Sequence, residues 1–343
     1  MTSWGRFQRR FNNILEDLDR HGKLVDQEAN ALNIAAMAQM RHEHLEWREK
    51  SLDKINREEK VQASKEYGSI LSWLKVDETE QTQIIETISD EELKYPQNFS
   101  WLLNDKKIKS WLQNRPEQPL LYLQGNPGCG KSVIAAKLVR FLQLNGSPTY
   151  RIVRHFCLYT FPSSTRYDGI LKSILQQLLR ESDELIAHVY QDCIVGRKQT
   201  STSYLERLID TLITTLSEKP GEPLCMWIVI DGINECEGTK QVRLMNLMNR
   251  ISSISASAHG ITYKVLLTTR PSPVVKKYFK IRKNQVIYLS DEKSPLYSAI
   301  RMYVAHRLQS MDERLRQLEL EKNEIADIRE LISQKASGKY LHI

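Results

Sequence analysis

A chain of 343 residues with 41% hydrophobic content has room for about two domains and enough apolar material for a sizeable core, which excludes a wholly disordered protein. The formal charge of +7 is spread over both signs along the sequence, so a dedicated nucleic-acid binder is not favoured. Five cysteines, odd in number and without a C-x-x-C pair, argue against a disulfide framework or a zinc site and for a reducing, cytoplasmic compartment.

The first thirty residues carry charges throughout and have no apolar h-region, and no run approaches the length of a membrane span. Residues 1–66 lack proline and are dense in Glu, Lys, Arg, Gln and Ala, which predicts a long helix or helical hairpin. Its sparse apolar stripe (Leu32, Met37, Met40, Leu45, Leu52, Ile55) needs a partner, and the module is expected to mediate self-association or bind another protein. His42 and His44 are two apart and do not share a helix face, so a charged, solvated surface is the better reading than a metal pair. A junction is expected at Tyr67-Gly68, followed by an acidic helical segment from Ile70 to about Tyr95-Pro96.

Trp101-Leu102-Leu103 and Trp111-Leu112 predict a short helix or turn packed against the next domain. There the apolar run Leu120-Leu121-Tyr122-Leu123 leads into Gly125-Asn126-Pro127-Gly128-Cys129-Gly130-Lys131-Ser132-Val133, which matches G-x-x-x-x-G-K-S/T at every defined position. The glycines let successive N–H groups turn toward an anionic phosphate chain, and a helix predicted from Lys131 adds the positive end of its dipole. Lys131 is expected to reach the β- and γ-phosphates of a nucleoside triphosphate, and Ser132 to hold Mg²⁺. The thiol of Cys129, between two glycines just ahead of a helix N-terminus, is also expected to have a lowered pKa, and bound nucleotide is expected to slow its alkylation.

Further on, strands are predicted at 150–159, 224–230, 263–269 and 285–289, with helices at 170–179, 205–216 and 242–254 and two charged helices at about 294–311 and 313–335. Leu224 to Ile230 is apolar throughout, as in a strand covered on both faces of a parallel sheet. Strands alternating with helices in this rhythm predict a doubly wound, mostly parallel α/β sheet with ligands at the carboxyl ends of its strands.

Three strand ends then carry the chemistry. The phosphate loop follows the first, Asp231 ends the apolar strand, and Arg270 follows Thr268-Thr269. Asp231 is placed to hold Mg²⁺ with Ser132, partly through water, and Glu235 to polarise an attacking water. Arg270 is placed to bind a γ-phosphate oxygen. The run Lys276, Lys277, Lys280, Arg282, Lys283 reads more simply as a solvated face than as a phosphate contact.

The phosphate loop, Asp231-Gly232-Ile233-Asn234-Glu235-Cys236 and Leu267-Thr268-Thr269-Arg270-Pro271 resemble the Walker A, Walker B and sensor motifs of the NACHT-type STAND P-loop NTPases of filamentous fungi, a group that includes the nephrocystin-three-like N-terminal NTPase domain. The resemblance implies a coiled-coil-like helical module over 1–66, a helical linker over 67–96, a NACHT P-loop NTPase domain over 97–290 and a truncated helical tail over 291–343. It also implies an ATP-controlled switch, with GTP possible, in self/non-self recognition or cell-death signalling. Asn234 stands where the family usually has Asp, so slow hydrolysis is expected and Asn234→Asp is expected to raise it. Two other readings stay open: a nucleotide-bound scaffold that never turns over, working through its N-terminal helices, and a nucleic-acid-stimulated NTPase.

Overall fold

The computed structural model describes residues 4–289 apart from 78, 95–99, 114–118, 147–149, 181, 219–224, 255–261 and 272–284, together with 323, 324 and 327. The basic run at 276–283 therefore lies outside the described residues, as do the expected tail helices but for those last three positions. The chain divides into two compact units, Met1–Lys65 and Glu66–Ile343. No described helix is long and apolar enough to cross a membrane.

The elements are, in order, α1 (Trp4–Leu74), α2 (Glu80–Lys94), α3 (Ser100–Asn104), α4 (Lys106–Leu112), β1 (Leu120–Gln124), α5 (Lys131–Asn145), β2 (Tyr150–Phe156), α6 (Pro162–Thr165), α7 (Tyr167–Leu179), α8 (Asp183–Val189), α9 (Thr202–Glu218), β3 (Cys225–Asp231), α10 (Gly238–Ile254), β4 (Thr262–Thr269) and β5 (Val286–Tyr288). A π-helical turn over Tyr190–Val195 follows α8, and a 3₁₀ turn over Ile233–Glu235 follows β3.

In the first unit the described side chains of residues 13–25 and 39–50 are all exposed, among them Ile14, Leu15, Leu18, Leu45 and Trp47. Pairs one turn apart, such as Asp19–Lys23 at 2.7 Å and Glu46–Lys50 at 3.4 Å, add little each because they are solvated. The expected junction at Tyr67-Gly68 lies within two residues of the boundary between the two units, and the helix runs on through it. Gly68 is absorbed within α1, and the helix ends at Lys75, whose φ of 52° is left-handed and whose N–H still bonds Leu71 O. A single glycine costs a helix only about 1 kcal/mol relative to alanine, and tertiary packing of Ile70 and Leu74 offsets that here. Trp73 Nε1–H donates to Lys198 O, and Arg180 Nε–H donates to Tyr67 Oη, pinning this end within the second unit.

The sheet has five parallel strands in the order β2-β3-β4-β1-β5. Alternate residues face opposite ways, as a strand requires. Met226, Ile228 and Ile230 of β3 join the core formed with α7, α9 and α10, while Cys225, Trp227 and Val229 join the one formed with α2, α4 and α5. Both faces are thus buried, and the doubly wound α/β core is the one that the apolar, non-alternating runs predict.

Among the described residues β2 is an edge strand, and two side-chain amides take the place of a further strand. Gln177 accepts from Arg154 N and donates to Arg154 O, and Gln81 of α2 does the same for Phe156. Between them, His155 turns the other way. Its Nε2–H donates to Ser164 O at 2.8 Å, and Nδ1 is buried without a partner. Burial pushes the imidazole pKa down from 6.5 to about 4.

A folded-state pKa below the unfolded one means that the unfolded chain takes up the proton first as pH falls. Stability should therefore be lost from near pH 6.5 and level off below about pH 4. Between pH 7 and pH 5 the loss should be about 2 kcal/mol, read from urea midpoints. His155→Gln should flatten that slope, and an equally steep slope in the variant would assign it to other groups.

Candidate functional site

The sheet order decides what meets what. β4 lies between β1 and β3, so Leu123 pairs with Thr268 on one side of β4 and Ile230 with Leu267 on the other. The phosphate loop, Asp231 and Arg270 therefore leave the sheet at the same end, on adjacent strands.

The loop continues β1 by one ladder bond, Gly125 N–H to Thr269 O at 3.2 Å. Gly128 (φ 77°) and Gly130 (φ 84°) are left-handed, where a side chain would be strained. At Gly125 the constraint is space, because a Cβ would stand 2.4 Å from Cys129 Sγ. Asn126 and Pro127 form the exposed crest, and Cys129 packs beneath it. Burial pushes the Cys129 thiol up despite the nearby Lys131 ammonium, whose Nζ is 3.8 Å from Sγ. The expected lowering of the Cys129 pKa is thus reversed: desolvation of a packed thiol outweighs the helix terminus and the lysine.

Gly130, without a side chain, is the N-cap of α5, so no side chain caps the first turn at Lys131, Ser132 and Val133. Lys131 is folded back over the loop, Nζ donating to Gly125 O at 2.9 Å and Asn126 O at 2.8 Å. Uncapped N–H groups beside an ammonium held on loop carbonyls form a cradle for an anion.

Next to it, Asp231 is 2% exposed and takes a hydroxyl donor on each oxygen: Ser132 Oγ–H to Oδ2 at 2.6 Å and Thr268 Oγ1–H to Oδ1 at 2.5 Å. Burial raises its carboxyl pKa, opposed by these two hydrogen bonds. Thr268 Oγ1 in turn accepts from Gly232 N–H at 2.8 Å. The sequence reading missed Thr268, although a hydroxyl in an otherwise apolar buried strand must find a partner, and that was the available signal.

Gly232 (φ 75°) turns the chain into the 3₁₀ turn that carries Asn234 and Glu235. Arg270 Nη2 is 2.7 Å from Glu235 Oε1, and the same oxygen accepts from Asn234 Nδ2 at 2.8 Å. Asn234 Oδ1 accepts from Arg270 N–H at 3.1 Å, which fixes the amide's orientation. Asn234 therefore joins the Glu235 side chain to the backbone of Arg270 and is tied at both ends. An aspartate there would lose the donor to Glu235 and set a second carboxylate against it.

Among the described residues no group of three or more His, Cys, Asp or Glu is placed to hold a metal. A single carboxylate with a serine hydroxyl fits Mg²⁺, which takes its remaining oxygens from phosphate and water.

The family model described as Nephrocystin 3, N-terminal, matches residues 97–270. Two similar solved structures are Cdc6p from Pyrobaculum aerophilum, at 15% identity over 62% of this chain and 61% of that one with a TM-score of 0.37, and Drosophila ORC bound to DNA, at 14% identity over 59% and 44% with a TM-score of 0.29. The alignment thus spans less than two thirds of either structure's chain. No curated protein matches.

The bridge makes a prediction about Asn234. Asn234→Asp should lower stability by about 1 kcal/mol, the worth of a partly solvated hydrogen bond plus a like-charge contact. Urea denaturation at neutral pH measures it, and an unchanged midpoint would remove the amide bridge from the forces holding Glu235.

Proposed function

The chain belongs to the nephrocystin 3 N-terminal family, matched over residues 97–270, and from that premise we propose that it is a Mg²⁺-dependent nucleoside-triphosphate switch that binds better than it hydrolyses. The observation that carries this reading is the meeting of Ser132 and Asp231 at 2.6 Å beside an uncapped helix N-terminus. Lys131 and the first N–H groups of α5 hold the phosphates, and Ser132 and Asp231 hold the metal, Asp231 partly through water. The ion, when bound, supplies charge neutralisation at the β- and γ-phosphates. ATP is the expected nucleotide, with GTP the alternative, since the residues of the loop address phosphates alone.

Glu235 is the group that orients the attacking water, and Arg270 the group that binds the γ-phosphate. In the present arrangement the two neutralise each other, so Arg270 must turn from Glu235 to reach a phosphate. That engagement favours slow turnover, well below the ~1–10³ s⁻¹ typical of enzymes, and it is also the observation that favours the scaffold reading, in which turnover is absent. We place the chain with NACHT-type STAND NTPases acting in self/non-self recognition or cell-death signalling in fungi, a reading that rests on the motif resemblance. The helical module over 1–66 is its association element. Between Met1 and Lys65 there are 12 Lys or Arg and 11 Asp or Glu, so two copies laid side by side are not repelled by net charge.

Three measurements test this. Lys131→Ala should weaken Mg·ATP binding at least about a hundredfold in calorimetry, the scale of losing a buried charge-assisted contact, without unfolding the chain; wild-type affinity would end the phosphate-loop reading. Glu235→Gln should keep binding and lose most single-turnover hydrolysis, whereas an undiminished rate would leave only Arg270 and the metal as catalytic elements. Deleting residues 1–66 should lower self-association in light scattering, and a full-length chain that is monomeric with and without nucleotide would refute the role given to the helix.

A further inference from the structure

We propose that Cys157 and Cys236 form a reversible oxidation site, a dithiol that a hydroperoxide converts to a disulfide and that thereby ties the Glu235 loop to the end of β2. The two thiols lie in one core cluster and interact side chain to side chain. The other cysteines face different partners: Cys129 lies against Gly125 and the Lys131 ammonium, Cys193 hydrogen-bonds Tyr204, and Cys225 lies near Lys264.

Backbone geometry brings the pair together. Cys157 directly follows β2, and its N–H donates to Asp231 O at 3.0 Å. Gly232 passes so close that a Cβ on it would lie 3.3 Å from Cys157 Cβ and 2.9 Å from Cys157 O. The 3₁₀ turn then folds the chain back, Cys236 N–H donating to Ile233 O at 3.1 Å, and returns the second sulfur to the first. Each cysteine is 5% exposed, enough contact with solvent for a small oxidant and too little for a bulky one.

The chemistry balances with a hydroperoxide as the oxidant. One sulfur attacks the terminal peroxide oxygen, breaking the O–O bond to give a sulfenic acid and water or an alcohol. The second thiol attacks the sulfenic sulfur, forming the S–S bond and releasing water. The sulfurs lose two electrons in all, the peroxide gains two, and a dithiol reductant reverses the bond by exchange. Bridging draws the sulfurs together to about 2.05 Å. Cys157 is held at the end of β2 by its N–H bond to Asp231 O, so the movement falls on Gly232–Cys236 and shifts Glu235 relative to Arg270.

The effect on turnover rests on the proposed nucleotide switch, whereas the disulfide itself does not. The full chain is treated with graded hydrogen peroxide, the remaining thiols are alkylated under denaturing conditions, and non-reduced peptides are mapped by mass spectrometry. A Cys157–Cys236 cross-linked peptide that dithiothreitol removes, with the other three thiols still alkylated, is the expected result. Single-turnover hydrolysis should fall about 10²-fold on oxidation, the worth of a displaced acid–base group, and return on reduction, with Mg·ATP binding kept throughout. Cys157→Ser should abolish that sensitivity, and if it does not fold the wild-type map still decides. Free thiols, or a sulfinic acid at either position without the cross-link, would overturn the oxidation site. A cross-link in a chain that never hydrolyses would support the site and refute the hydrolytic reading instead.

Discussion

One buried carboxylate organises the second unit. Asp231 sits at the end of a strand with both faces covered, where an uncompensated charge would cost several kcal/mol. Its nearest donors are hydroxyls from two other strand ends, Ser132 beyond β1 and Thr268 in β4. Hydroxyl dipoles satisfy the oxygens without cancelling the charge. The carboxyl group is thus held in place by two hydroxyls, with the Lys131 ammonium occupied by the carbonyls of its own loop. The conformation of the loop, the position of α5 and the ionisation of Asp231 are for that reason one coupled arrangement, not three separate features.

Beside it stands a second polar cluster of a different kind. Arg270 and Glu235 form an ion pair near the surface, and Asn234 contacts both through one amide. A neutral residue with a donor at one end and an acceptor at the other is the only short side chain that serves both partners here. A residue read from sequence as a lost charge is, in the folded chain, the amide that ties the Glu235 carboxylate to the backbone of Arg270.

Much of the core could be read from the chain itself, because buried parallel strands are written as unbroken apolar runs and the phosphate loop has a strict spacing. The order of the strands could not. Placing β4 between β1 and β3 depends on long-range packing, and no local pattern in Thr262–Thr269 announces it. Local rules also failed where tertiary forces opposed them. The dipole argument at Cys129 lost to burial of the thiol. The stretch from Asp183 to Val195 went unassigned, since its short α-helix runs into a π-turn, a geometry whose period no amphipathic template fits.

The edge of the sheet at β2 has a further consequence. A strand that presents free N–H and C=O groups is a template on which another chain can grow, and proteins commonly deter this with charge, proline or a bulge. Here Gln177 and Gln81 each fill a donor and an acceptor site on the open side of β2, at Arg154 and at Phe156. Any invading strand would have to displace two paired amides, one anchored on α7 and the other on α2. Among the described residues the sheet therefore ends at β2 with side-chain amides in the place of a sixth strand at Arg154 and Phe156, and β-addition there would have to displace them.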